Sequence, residues 1–73
     1  MIKIKSVKPM QGYRLLVTFE DKTEKICEIS KFLDIGSFKE LKDVTIFNQV
    51  KTTGYSVEWP NELDLSADTL LST

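Results

Sequence analysis

Between Tyr13 and Phe19 the chain reads YRLLVTF, and no other run limits the possible folds so strongly. Tyr13, Leu15, Val17 and Phe19 recur at period two, with Arg14, Leu16 and Thr18 between them. A β-strand sends alternate side chains to opposite faces, so the first set is expected to face a core. EDKT then turns the chain and EKICEI returns it. Cys27 and Ile29 fall on one face of this second strand, with Glu24, Ile26 and Glu28 on the other. The pair reads as a β-hairpin. Its turn has no glycine, so Asp21 or Lys22 is expected at positive φ, at a cost of about 1 kcal/mol.

The flanking segments extend this pattern. IKIKSV alternates apolar and basic residues from Ile2 to Lys5 and then loses phase before Val7, which predicts a bulge or a strand end near Ser6. Pro9 cannot donate to a ladder, and Gln11-Gly12 signals a turn. Ser30 is placed to cap one turn through KFL. Ser37 and Glu40 have the spacing of a capping box before a short helix from Phe38. Phe32, Leu33, Phe38 and Leu41 are the expected core anchors of this middle section. DVTIFNQVKTT reads as a fourth strand with an irregular start, since Phe47 lies across from Val44 and Ile46. Gly54 turns the chain into YSVEW, a fifth strand with Tyr55, Val57 and Trp59 on one face. Pro60 stops that strand and Asn61-Glu62 turns it. Ser66 then stands as an N-cap, with Leu65 and Leu70 spaced as a hydrophobic staple and Asp68 in the first turn, near the positive end of the helix dipole. Asp64 is expected to bond the backbone of its own turn.

The expected fold is therefore α+β: one small curved antiparallel sheet of about five strands, an N-terminal β-meander followed by a C-terminal hairpin, with short helices. At 73 residues, 1–73 forms a single domain. A domain of that size buries only about 60% of the surface of its unfolded chain. The single cysteine, Cys27, forms no internal disulfide, and the chain has no histidine for a typical zinc site. A protein partner or a second copy would supply the missing burial. A lone thiol fits a reducing cytoplasm. MIKIKSVKPM lacks the continuous apolar core of a signal peptide, and no apolar run approaches the ~18 residues of a membrane span. Charge is uneven: residues 1–25 carry a net +3 and the remainder a net −4.

Four candidate sites arise from the residues. Asp34, Asp43, Asp64 and Asp68 match no calcium-loop spacing and read as turn and cap residues, so no metal is expected. Cys27 reads as a buried small hydrophobe rather than a reactive thiol. Trp59 beside Pro60 would suit stacking on a base or ligand, but its parity with Val57 and Tyr55 favours the core. Lys3, Lys5 and Lys8 form a basic strand without aromatic company, read first as a solvated edge and second as a weak nucleic-acid surface. No catalytic residues or cofactor are expected. Histidine, a Gly-x-Ser-x-Gly elbow and a glycine-rich phosphate loop are all missing from the sequence.

The run Y-x-L-x-V-x-F-E-D, then CEIS, G-x-F-x-x-L-x-D and W-P-N-x-x-D-L-S-x-D-x-L resembles the bacterial domain-of-unknown-function family 2442 from Ile4 to Leu70. Its most specific part is the tail that holds Trp59, Pro60, Asn61, Asp64 and Asp68. Two turns depart from it: Lys22 and Glu62 stand where members usually have glycine. The resemblance implies a small α+β fold and no established catalytic set. It also implies a genetic neighbour that is another small protein, and an antitoxin-like or regulatory role beside it. The expected function is a non-catalytic protein–protein interaction module. The alternative is weak nucleic-acid binding through the basic N-terminal strands.

Overall fold

The computed structural model describes residues 2–73. Its first half is a meander of three antiparallel strands, β1 (Ile4–Met10), β2 (Arg14–Phe19) and β3 (Glu24–Glu28), with β2 in the centre. The period-two reading of this region holds. Leu15, Val17, Phe19, Cys27 and Ile29 are buried, whereas Glu24, Ile26 and Glu28 are exposed. The register of β1 against β2 shifts between Ile4 and Ser6, which is the expected bulge, and it lets both Ile4 and Val7 turn to the core. β1 runs through Pro9 to Met10, because Pro9 lies on an edge strand and needs no N–H there.

One sheet of about five strands is not what forms. A second, separate three-stranded antiparallel sheet contains β4 (Lys51–Thr52), β5 (Ser56–Glu58) and β6 (Asp64–Ser66). Among the described residues the two sheets meet at one main-chain bond, from the Ile4 N–H to the Gly54 carbonyl at 2.7 Å. The bulge after Ile4 and the turn at Gly54 stop the ladder from continuing.

The region read as a fourth strand is mostly helix. Asp43 caps α1 (Val44–Phe47), its Oδ1 accepting from the Thr45 N–H at 2.9 Å. Ile46, Phe47 and Val50 then reach the core at helical spacing while Val44 is exposed, which accounts for the broken strand parity. Before α1 come two stretches of 3-10 helix, Ser30–Phe32 and Gly36–Lys42. Neither Ser30 nor Ser37 caps them: the cap positions are Ile29 and Ile35, without a side-chain bond, so the Ser37–Glu40 box does not form. Leu33 and Leu41 are buried, and Phe32 and Phe38 pack against the core from its rim. Tyr13, expected in β2, belongs to the turn before it. Its ring meets Phe47 edge-on at 5.3 Å, and its hydroxyl donates to the Lys42 carbonyl.

At the C-terminus α2 (Ala67–Leu71) begins as read. The Ser66 hydroxyl accepts from the Thr69 N–H at 3.2 Å, Leu65 and Leu70 are buried, and Asp68 lies in the first turn. Lys25 and Cys27 of β3 hold its far end, with Lys25 Nζ donating to the Leu71 carbonyl and the Cys27 thiol 3.5 Å from that of Leu70. An ammonium at a helix C-terminus opposes the dipole favourably.

Candidate functional site

The Trp-Pro-Asn stretch is a turn built on a buried anchor. Trp59 is only 2% exposed, its Nε1–H donates to the Phe47 carbonyl at 3.0 Å, and its ring lies 6.1 Å from that of Phe47. The ring therefore presents almost no surface to a ligand. From Trp59 to Leu63 the chain closes a three-residue hairpin loop. The Trp59 N–H donates to the Leu63 carbonyl at 2.9 Å, and the Glu62 N–H returns to that of Trp59 at 3.1 Å. Pro60 supplies the φ that the first turn position needs. Asn61 Oδ1 accepts from the Leu63 N–H at 3.4 Å, and its buried Nδ2 finds no hydrogen-bond partner among the described residues. Glu62 takes the left-handed position, at φ 70°. Asp64 does not make the turn bond expected of it, which Asn61 makes instead. Asp64 stands exposed on β6 opposite Glu58.

The turn between β2 and β3 is the same device. The Phe19 N–H donates to the Thr23 carbonyl at 2.8 Å and the Lys22 N–H to that of Phe19 at 2.9 Å. Asp21 Oδ1 accepts from the Thr23 N–H at 3.0 Å and hydroxyl at 2.6 Å, and Lys22 has φ 72°. A turn followed by a left-handed residue is a common way to close a three-residue hairpin, and it favours glycine at that last position. The Thr23 hydroxyl, and then its N–H, hold the Asp21 carboxyl below the ordinary aspartate value.

The remaining acidic candidates are separated. Asp34 meets Lys42 at 3.0 Å on the surface, Asp43 caps α1, and Asp68 sits in α2. Among the described residues no three Asp, Glu or Cys side chains gather where one metal ion would bind.

Lys3, Lys5 and Lys8 are exposed, but the bulge divides them. Lys8 stands on the outer face of the first sheet, level with Leu16 and Ile26. Lys3 has its ammonium 5.8 Å from the centre of the Tyr55 ring. Tyr55 shares parity with Val57 and Trp59 yet is 48% exposed, because β5 begins only after it. Beside Lys3 an open groove of about 400 Å³ runs between Ile2, Phe19, Asp21 and Leu71. Among the described residues no helix is long and apolar enough to cross a membrane.

The two edges of the first sheet differ, and periodicity does not reveal this. The bonds from Phe19 to Thr23 and from Ile29 to Tyr13 fix which β3 residues face β2. Main-chain groups alternate sides along a strand. Those of Thr23, Lys25, Cys27 and Ile29 therefore point inward to β2, and those of Glu24, Ile26 and Glu28 point outward. Among the described residues these outward groups bond to no other element. On β1 the outward positions are Ile4, Val7 and Pro9. Ile4 is already engaged with Gly54, and Pro9 has no N–H. β1 is thus a blunted edge and β3 an open one, with Ile26 51% exposed at its centre.

A family model described as "Protein of unknown function (DUF2442)" matches residues 4–73. No curated protein matches the chain, and no solved structure does.

Proposed function

The chain belongs to that family of unknown function, and on this footing we propose that it is a non-catalytic protein–protein interaction module that receives a partner's strand on the open edge of β3. The observation that carries this reading is the outward row of main-chain groups at Glu24, Ile26 and Glu28. Strand addition takes its affinity from such groups and its specificity from alternate side chains. The role is that of a cytoplasmic regulatory or antitoxin-like subunit beside a second small protein. Tagged protein, retained from its native lysate at low and high salt, tests this. A stoichiometric small protein that survives high salt, and is lost from a folded Ile26→Pro variant, supports the reading. Proline there removes one outward N–H and no bond to β2. An eluate without protein, or a partner indifferent to Ile26→Pro, overturns it.

A second reading has its own observation. Tyr55 gives Lys3 the aromatic neighbour that a basic nucleic-acid surface uses. It requires nucleic acid in the low-salt eluate and a steep loss with salt. Binding that is unchanged by salt excludes it.

A further inference from the structure

The outer face of β3 carries a charge pattern that bears on which strand it accepts. Glu24, Ile26 and Glu28 alternate there, and both carboxylates are exposed. Among the described residues their side-chain partners lie on the β2 side: the Thr18 hydroxyl is 3.4 Å from Glu24, and Arg14 Nε is 3.8 Å from Glu28. Leu16 stands beside Ile26 in the same register. Lys25, the one basic residue of β3, points to the opposite face and is committed to the Leu71 carbonyl. The outer margin of the open edge is therefore acidic, aliphatic, acidic.

We infer that the strand received by β3 is cationic on this face, with Lys or Arg opposite Glu24 and Glu28 and an aliphatic residue opposite Ile26. This deepens the edge reading and rests on it. Side chains directly opposite in an antiparallel pair approach to about 5 Å, close enough for opposite charges to attract and like charges to repel. The same rule disfavours a second copy. An antiparallel β3–β3 pair that overlaps the whole strand centres on Ile26 and sets Glu24 against Glu28 on both sides of the two-fold axis. Shifted registers avoid this only by giving up part of the ladder. The edge thus repels itself in full overlap and attracts a partner of opposite charge.

Two blocked peptides separate the outcomes. Both alternate threonine with three face residues: Lys, Val and Lys in one, Glu, Val and Glu in the other. Each is titrated into the intact protein, and amide hydrogen exchange is followed residue by residue. The cationic peptide is expected to slow exchange at Glu24, Ile26 and Glu28 at least tenfold, and to bind at least tenfold more tightly than the anionic one. Glu24→Lys with Glu28→Lys should invert that preference, and the two Glu→Gln changes should level it. Equal protection of the edge by both peptides overturns the charge inference and leaves strand addition standing. Protection by neither peptide at millimolar concentration overturns both. Protection of these amides that rises with protein concentration alone assigns the edge to a second copy, and also overturns the inference.

Discussion

Lys22 and Glu62 occupy the left-handed position of two turns that share one hydrogen-bonding pattern. A side chain there costs about 1–2 kcal/mol against the carbonyl that follows, while glycine adds about 0.4–1 kcal/mol of freedom to the unfolded chain. Lys22→Gly and Glu62→Gly should therefore each stabilise the protein by roughly 0.5–1 kcal/mol, seen as a rise of a few degrees in Tm. A fall in Tm for either variant would show that its side chain makes a contact that outweighs the strain. Asp21 gives a pH-dependent effect in the same turn. Its folded-state pKa lies below the ordinary value, through the hydroxyl and N–H of Thr23. The unfolded chain then binds the proton more readily than the folded one. The resulting stability is fully present above the ordinary value, near pH ~4, and is lost as pH falls through the lower folded one. Denaturation curves between pH 5 and 2 should show a shallower acid loss in Asp21→Asn, which keeps the accepting oxygen and does not titrate. Equal slopes would exclude this contribution.

At the scale of elements, the caps decide what periodicity leaves open. Asp43 turns Val44–Phe47 from the strand that its β-branched residues suggest into α1. Asp43→Ala should cost about 1 kcal/mol, measured by chemical denaturation. An unchanged midpoint would mean that burial of Phe47 alone holds the helix. The first meander, its bulge near Ser6 and the Ser66 cap are legible in the sequence, because they rest on period-two alternation and on one local bond. The division into two sheets is not, since it depends on where the Gly54 turn lands against Ile4. The Ser37–Glu40 spacing misleads for a related reason: the segment begins at Gly36, so Ser37 falls inside its first turn rather than before it. The candidate site is legible in part. Glu24, Ile26 and Glu28 are readable as an outward face, but which strand is the open edge follows from pairing order. The placement of Tyr55 beside Lys3 is likewise a long-range contact with no local signal.

For the whole molecule, one core joins both sheets and α2, and Cys27 lies inside it with no exposed surface. A thiol reagent should therefore modify the native protein only as fast as the core opens, with a rate that increases under denaturant. Rapid labelling in native buffer would place the thiol at the surface. If β3 takes a partner's strand as proposed, the contrast between the two margins of the first sheet would also limit stoichiometry. A sheet that accepts a strand on one side and lacks a donor on the other can be extended once, but cannot pass growth on. Under the proposed strand addition, the engaged Ile4 and the missing N–H of Pro9 would make the protein a terminus rather than a link, and its complexes would be finite in size. Restoring the missing donor by Pro9→Thr should open the second margin and lengthen the species seen by light scattering, and discrete complexes in that variant would assign the limit to another part of the molecule.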